Sequence, residues 1–276
     1  MLFSIIIPTY NRTAQLVSCI ERLNADIQNF SKDDFEIIVS DDSVDLDLKK
    51  ILSDNYINVT WIKGLKRGPA SNRNNGAKIA KGDWLIFLDD DVIPDFKLLS
   101  SYSNAIKNYL NSKAFEGAIH PDNWRLLDED MAECPINLNG GVFWSANICI
   151  NKSMFEQVDG FDEQFVIAAQ EDQDIYDRLK ELTEVQFVSE AFVIHPVRII
   201  PFLNKIKQSR ASIINWLKYS QKYNSLRSTI VIGINSQFFA FFTNFRKHRY
   251  KTAICSLFML IIFPFIVLQQ KLFKNV

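Results

Sequence analysis

Three consecutive aspartates, Asp89, Asp90 and Asp91, carry the clearest chemical signal in this sequence. They follow the apolar run Trp84 to Leu88, which is typical of a buried strand. In an extended chain, residues i and i+2 point the same way, so Asp89 and Asp91 can converge on one cation. Hard oxygen ligands at the end of a strand suit Mg²⁺ or Mn²⁺. The alternative is a solvated acidic turn that begins the following helix.

Two further acidic pairs stand at the ends of predicted elements. Asp41 and Asp42 follow the apolar run Phe35 to Val39, whereas Glu171 and Asp172 begin a segment with helical spacing. Each pair has a structural alternative. An Asx turn that closes a strand accounts for the first pair, and the helix macrodipole favours acidic residues at the position of the second.

Alternating strand and helix patterns must position these side chains. The predicted strands of the first part are Phe3 to Ile7, Phe35 to Val39, Val59 to Ile62 and Trp84 to Leu88, and Val142 to Ile150 is predicted as a later one. Intervening helical patterns give βαβ spacing, which predicts an α/β fold with a mostly parallel sheet flanked by helices. In such sheets the ligand crevice lies at the carboxyl ends of the strands, where these acidic clusters fall.

Four segments, in this order, resemble the family 2 inverting glycosyltransferases, which have the GT-A nucleotide-sugar fold. They are Ser4 to Arg12, Ile38 to Ser43, Gly68 to Asn74 with Gly82-Asp83 and Asp89 to Asp91, and Gly160 to Glu163 with Glu171 to Asp174 and Arg178. Any one segment is a weak signal, but the ordered set is specific and spans roughly residues 3 to 195.

The resemblance implies a donor site for a nucleoside diphosphate sugar. Asp91 matches the direct ligand of a Mg²⁺ or Mn²⁺ ion between the diphosphate oxygens, while Asp89 and Asp90 lie toward the ribose and the donor sugar. Arg73 matches an arginine that faces the pyrophosphate or the base-binding carboxylate. The residues that match nucleoside contacts in the first loop are Pro8, Thr9 and Tyr10. Asp42, together with Asp41, matches the acidic position that holds the nucleotide base.

The resemblance also implies an acceptor side. Asp172 matches the base that takes the proton of the acceptor hydroxyl, and Glu171 matches an acceptor-binding group beside it. Trp144 and Asn147 match positions that contact the donor or acceptor sugar, although a buried Trp is an equal alternative. His195 matches a histidine that completes the metal site in some relatives, with a structural histidine as its alternative.

Charge is distributed unevenly along the 276 residues, whose formal net charge is only -1. No Asp or Glu follows Glu190, and the segment from Ala191 to Val276 carries 13 Lys and Arg, so the remainder has a formal charge of -14. This asymmetry indicates an acidic partner surface, and without a DNA- or RNA-binding signature it favours an anionic membrane over nucleic acid.

The hydrophobic, basic-flanked end of the chain predicts a separate tail. We expect a transferase domain at residues 1–225 and a membrane-associating helical extension at residues 226–276. The apolar run Ala253 to Leu268 is short for a span, so a tilted span, a re-entrant hairpin and an interfacial anchor remain open. The basic cluster before it predicts a peripheral, monotopic or single-pass protein at the cytoplasmic face of the cell membrane.

Together these features predict a metal-dependent transferase that moves a sugar from a UDP-sugar or a related donor to a hydroxyl of a glycan or lipid-linked acceptor. We expect it in cell-surface polysaccharide or glycolipid assembly. One alternative is a sugar nucleotidyltransferase, but the loop Pro8 to Asn11 lacks the Gly-rich phosphate motif of that class. Another is a catalytically silent, membrane-bound glycan-binding scaffold, which the joint presence of Asp91 and Asp172 disfavours.

Overall fold

The computed structural model describes residues 2–44, 47–56, 58–223 and 226–273, which divide into two compact units. The first unit comprises Met1–Asp122 and Pro135–Pro196, and the second comprises Asn123–Cys134 and Val197–Val276. All of the candidate site residues belong to the first unit. The predicted domain boundary between residues 225 and 226 falls within the second unit, between two of its helices, and it stays a prediction.

The first unit begins with the predicted alternation of strands and helices. Its elements are β1 (Phe3–Thr9), α1 (Thr13–Arg22), α2 (Ala25–Gln28), β2 (Phe35–Asp41), α3 (Asp47–Asn55), β3 (Val59–Lys63), α4 (Pro69–Ile79) and β4 (Trp84–Leu88). Helix α4 starts on Pro69, a position where the missing N–H of proline removes no hydrogen bond within the helix.

Shorter and less regular elements follow β4. They are β5 (Ile93–Pro94), α5 (Leu98–Asn108), β6 (Ala114–Pro121), a 3-10 turn (Leu126–Asp128), β7 (Ala132–Glu133), β8 (Asn147–Asn151), α6 (Lys152–Gln157), α7 (Glu171–Lys180), β9 (Val185–His195) and β10 (Arg198–Ile199). The 3-10 turn, β7 and β10 belong to the second unit.

Eight strands of the first unit form one sheet, in the order β3-β2-β1-β4-β8-β6-β9-β5. Strands β3, β2, β1 and β4 are parallel neighbours, as are β6 and β9, whereas β8 runs antiparallel to β4 and to β6. The predicted α/β class, with a mostly parallel sheet flanked by helices, is therefore confirmed.

Both faces of the sheet are buried, which explains the continuous apolar strands. Successive side chains of a strand point to opposite faces. Accordingly, Ile5 and Ile7 of β1 pack in one cluster with α1 and α5, while Ile6 packs in another with α4, α6 and α7. Burial on both sides removes the polar alternation that a half-exposed strand would show.

The strand predicted from Val142 to Ile150 begins five residues later, at Asn147. The preceding residues Gly140, Gly141 and Phe143 have φ angles of 79°, 92° and 48°, and this left-handed backbone cannot continue a strand. The apolar residues there indicate burial correctly, but they lie in a compact loop rather than in the sheet.

Asn147, at the start of β8, joins three strands and a helix through its side chain. Its amide nitrogen donates to the carbonyl oxygens of Ala118 and Ala191 at 2.9 and 2.8 Å, and its oxygen accepts from the hydroxyl of Tyr102 at 2.8 Å. A Cβ atom on Gly117 would lie 2.2 Å from this nitrogen, so only glycine fits opposite it. Asn147 is thus a buried connector of the sheet.

The second unit contains the chain's three longest helices, α8 (Phe202–Tyr223), α9 (Leu226–Arg246) and α10 (Tyr250–Phe273). Ile213 and Leu217 of α8 pack against Met259, Phe263 and Ile266 of α10. Asp130 accepts hydrogen bonds from the backbone of Lys251 and Thr252, which fixes the segment carrying β7 to the start of α10. Among the described residues, no helix is both long enough and apolar enough to span a bilayer.

Replacing Asn147 with Ala should destabilise the protein by about 2–4 kcal/mol, because it removes a donor from two buried carbonyls and the acceptor of the buried Tyr102 hydroxyl. Urea unfolding followed by circular dichroism measures this. Asn151→Ala, at the half-buried end of the same strand, is the matched control and should cost less than about 1 kcal/mol. Equal effects of the two substitutions would contradict the connector role.

Candidate active site

The carboxyl ends of the parallel strands gather the predicted donor-side residues at one edge of the sheet. Strands β1 and β2 end at Thr9 and Asp41, which pair in register, and β4 ends directly before the three aspartates. Pro8 is half-buried in β1, whereas Tyr10 in the following loop is 60% exposed and leaves its ring open to a ligand. This edge is where an open α/β sheet binds its ligands.

The two carboxylates after β2 have different surroundings. Both oxygens of Asp41 accept protein hydrogen bonds, from the Trp61 indole at 3.1 Å and from the Ser43 amide at 2.8 Å. Asp42 accepts from the Lys66 amide at 2.6 Å through Oδ1. A Cβ atom on Gly64 would lie 2.2 Å from that oxygen, so the glycine makes room for Asp42. Of the two, Asp42 is the better placed to receive a nucleotide base.

Asp90, the middle member of the triplet, is held by the protein itself. It accepts from the hydroxyl of Thr9 at 2.8 Å and from Arg12 at 2.9 Å, one bond to each oxygen. Burial raises the pKa of Asp90 even though Arg12 and Thr9 stabilise its charged form. These contacts make Asp90 and Thr9 supports for the neighbouring aspartates.

Asp89, Asp91 and His195 form a group able to hold a metal ion. One candidate ligand atom from each lies within 4.8 Å of the others, and Nε2 of His195 is 3.5 Å from Oδ1 of Asp91. Nδ1 of His195 lies 3.1 Å from the carbonyl oxygen of Pro196, which can only accept, so the proton belongs on Nδ1 and Nε2 keeps its lone pair. Two carboxylates and an imidazole fit Mn²⁺, and they fit Mg²⁺ with the imidazole as the less usual ligand.

Arg73 in α4 connects this group to the start of α7. Its guanidinium donates to Asp89 at 3.0 Å and to Glu171 at 3.3 Å, and it lies over the ring of Phe161 at 5.5 Å. Burial opposes its charge, but Asp89, Asp172 and Glu171 together raise the pKa of Arg73. Arg73 thus bridges the end of β4 and the start of α7, and its predicted role toward a pyrophosphate or the base-binding carboxylate stays a prediction.

Glu171 and Asp172 begin α7 as predicted, but their surroundings differ. Glu171 uses both oxygens, one toward Arg73 and the other toward the amide of Ala169 at 2.6 Å. Burial and the charge of Asp172 raise the pKa of Glu171 to about 8, against the opposing charge of Arg73.

Asp172 keeps one oxygen available. Its Oδ1 is buried and has no hydrogen-bond partner among the described residues. Burial raises the pKa of Asp172 and Asp89 adds to this, while Arg73 and Ser145 stabilise the charged form. A buried carboxylate oxygen without a donor is suited to accept a proton from a bound hydroxyl.

The loop before β8 places Ser145 beside Asp172, and a buried carboxylate shapes that loop. Glu116 of β6 accepts from the amides of Gly141, Val142 and Phe143 at 2.5, 3.2 and 2.9 Å. Trp144 follows and is half-buried against the core, whereas Asn147 uses its amide within the sheet. We therefore retain Trp144 rather than Asn147 as a candidate sugar contact.

Sequence reasoning missed three contributors: Arg12, Glu116 and Ser145. Arg12 belongs to the motif after β1, and its position next to a carboxylate cluster could have suggested the ion pair. Glu116 sits within an apolar run, and a lone acid in a buried strand signals a structural or functional need. Ser145 carries no signal, since only the tertiary fold brings it to Asp172.

Comparison with known proteins finds similarity to one family. The glycosyl transferase family 2 model matches residues 4–112, which include β2 to β4, nearly all of β1 and the three aspartates. This part of the chain is therefore similar to the family 2 glycosyltransferases.

Among curated proteins, this chain is 38% identical over 122 residues to a GalNAc(5)-diNAcBac-PP-undecaprenol beta-1,3-glucosyltransferase of Campylobacter jejuni, covering 42% of this chain and 36% of that protein. The chain thus spans about a third of that relative's length.

Solved structures confirm the GT-A fold. Residues 1–349 of TarS from S. aureus, in complex with UDP-GlcNAc, superpose with a TM-score of 0.58 at 17% identity, covering 92% of this chain and 90% of that one. A mannosyltransferase from Pyrobaculum calidifontis, in complex with GDP-Man and Mn²⁺, gives 0.60 at 13% identity, covering 94% and 86%.

The raised pKa of Glu171 predicts a pH dependence for the stability of this protein. The folded state binds the Glu171 proton more tightly than the unfolded chain between the usual pKa of 4.5 and about 8, so this group's contribution to stability falls as pH rises through that window. Relative to wild type, Glu171→Gln should therefore gain stability with rising pH, by at most about 1.4 kcal/mol per unit.

Urea unfolding of both proteins at pH 5, 6, 7 and 8 measures the difference. Glu181→Gln, an exposed residue just beyond the end of α7, is the control and should show no such trend. A pH-independent difference for Glu171→Gln would show that its carboxyl titrates near the usual value.

Proposed function

We propose that this chain is a metal-dependent, inverting glycosyltransferase that moves a sugar from a UDP-sugar to a hydroxyl of a glycan or lipid-linked acceptor. The observation that carries this proposal is the pairing of two chemically distinct sides across Arg73. On one side are Asp89, Asp91 and His195, and on the other is Asp172 with its buried, unpartnered oxygen.

The donor side would hold the nucleoside diphosphate. Asp42 would accept from the base, the exposed ring of Tyr10 would cover it, and Pro8 and Thr9 would line the loop beneath. Asp89, Asp91 and His195 would hold the Mg²⁺ or Mn²⁺ ion, which when bound neutralises the charge that builds on the departing diphosphate. The Mn²⁺ complex of the Pyrobaculum mannosyltransferase supports this assignment.

The acceptor side would supply the base. An inverting transfer needs a carboxylate on the far side of the anomeric carbon from the leaving group, where it takes the proton of the attacking hydroxyl. Asp172 has the free oxygen, and Ser145 and Arg73 fix its other contacts. Glu171 would position Arg73 and the acceptor, and Trp144 would offer a ring to a sugar.

The carboxylates on both sides set this proposal apart from its alternatives. A nucleotidyltransferase needs no base beside the sugar's anomeric carbon, and a silent scaffold needs neither a raised pKa at Glu171 nor a cation group. The lipid-linked substrate in the name of the Campylobacter relative favours a role in polysaccharide or glycolipid biosynthesis.

Asp172→Asn should leave donor binding intact and lower transfer by about 100-fold or more, because general-base catalysis contributes at least that much. Binding is measured by the thermal shift with UDP-sugars and Mn²⁺, which also identifies the donor, and turnover by release of UDP. Asp91→Asn should lose the Mn²⁺-dependent part of the shift. Asp177→Asn, later in α7, is the control.

Two results would contradict these roles. Turnover that survives in Asp172→Asn removes the base assignment. Full activity of the wild-type enzyme in EDTA removes the metal assignment and leaves the family membership untouched.

We also propose that the second unit attaches the enzyme to an anionic membrane at its cytoplasmic face. Between Phe238 and Phe265, the described part of α9 and α10 exposes many apolar side chains, although the solvent-facing side of a helix is ordinarily polar. The exposed residues recur at helical spacing and are Phe238, Phe239, Phe242 and Phe245 on α9, and Ile254, Leu257, Phe258, Ile261 and Phe265 on α10.

Charge on the same hairpin favours anionic lipid as the occupant of this apolar face. Arg246, Lys247 and Lys251 are exposed at the connection between α9 and α10, where Asp130 is a neighbouring acidic residue. From Ala191 onward the sequence carries 13 Lys and Arg and no Asp or Glu, so basic residues outnumber acidic ones here. Apolar aromatic faces beside basic residues are typical of segments that bind an anionic lipid surface. Nucleotide sugars are found in the cytoplasm, which fits this side of the membrane.

Phe239→Ser should weaken binding to phosphatidylcholine vesicles that contain phosphatidylglycerol by about tenfold, the value of one buried Phe side chain. Vesicle flotation measures the bound fraction. Phe96→Ser, an exposed Phe of the first unit, is the matched control and should bind like wild type. If Phe239→Ser binds the vesicles as well as wild type does, the apolar face has another occupant. The same conclusion follows if the protein forms a concentration-dependent dimer and does not bind vesicles.

A further inference from the structure

Arg12 contacts the candidate cation site but is not one of the residues that would hold the ion. It precedes α1, and its Nη1 atom contacts Asp90 at 2.9 Å and Asp91 at 3.3 Å. The two carboxylates are almost completely buried, whereas the Arg12 side chain is 41% exposed. It is therefore the accessible partner in an otherwise buried ionic cluster.

The contacts of Asp91 divide between its two oxygens. Oδ2 faces Arg12, while Oδ1 faces Nε2 of His195. A cation held by Asp89, Asp91 and His195 would therefore share one carboxylate with the guanidinium. Positive charges that share a ligand repel one another, so each weakens the binding of the other.

The ion pairs around the site point the same way. Arg12 contacts Asp90 and Asp91, and Arg73 contacts Asp89 and Glu171, so four carboxyl groups face two guanidinium groups and favour an added cation. A bound divalent ion adds positive charge to this cluster and so favours an anionic ligand beside it. Arg73 is fixed by burial between two carboxylates, so Arg12 is the arginine that can change partners.

We propose that Arg12 is an exchangeable counter-ion that couples the cation site to the diphosphate of the donor. Without donor it holds Asp91 and keeps cation affinity low. When a diphosphate is present, the guanidinium moves from the aspartates to a phosphate oxygen, a partner that its planar fork suits. Cation and nucleotide then strengthen each other's binding, as reciprocal linkage requires. This inference rests on the proposed metal site and adds a positioning residue to it.

The test is the affinity for Mn²⁺ alone and with saturating UDP, measured by electron paramagnetic resonance of the free ion. Arg12→Gln should bind Mn²⁺ about tenfold more tightly than wild type without UDP, the effect of one charge near a divalent ion in a water-like medium. UDP should then enhance Mn²⁺ binding less in the variant than in wild type. Arg12→Lys, which keeps the charge, should stay close to wild type without UDP.

The controls separate this inference from the metal site itself. Arg22→Gln removes the same charge at the other end of α1, about 15 Å away at 1.5 Å per residue, and should leave Mn²⁺ affinity unchanged. Asp91→Asn should abolish binding, and if wild type and Asp91→Asn bind Mn²⁺ alike, the proposed metal site fails. If Asp91→Asn loses binding but Arg12→Gln binds more weakly than wild type or equally well, the metal site stands and the counter-ion role fails.

Discussion

The buried guanidinium of Arg73 is the constraint on which the candidate site depends. Taking an arginine out of water is costly, and only carboxylates in direct contact compensate for it. Asp89 does so at the end of β4, and the pair Glu171 and Asp172 adds to it from the start of α7, a segment far away in the sequence. A lysine would place one point charge where the fork of arginine reaches two separate acceptors. The distance between the end of β4 and the start of α7 is therefore matched to one planar group.

Charge balance explains why so many ionisable groups persist in a buried site. Each described carboxylate there has a donor or a positive neighbour, and Oδ1 of Asp172 is in addition buried without a hydrogen-bond partner among the described residues. That oxygen lies where the proposed chemistry needs a proton acceptor. Burial raises the pKa values of Glu171 and Asp172 together, so the pair is a stronger base than carboxylates in water.

The parallel half of the fold could be read from the sequence because strands buried on both faces leave continuous apolar runs. The acidic residues that follow β2 and β4 also indicated which edge of the sheet binds ligands. Local patterns could not reveal Glu116 or Asn147, because their partners come from distant segments. Likewise, nothing in the sequence indicates that the Trp61 indole donates a hydrogen bond to Asp41. This contact leaves Asp42 as the candidate for binding the nucleotide base.

The reversal of β8 within the sheet decides where the loop before it lies. Because β8 runs opposite to β4, its first residue, Asn147, pairs with Leu88, the last residue of β4, and the loop before β8 arrives at the ligand edge. The family model ends at residue 112, just before β6 begins at Ala114. The residues proposed to contact the nucleoside therefore lie in the part of the chain that matches the family, whereas the proposed base and the loop beside it lie beyond that part.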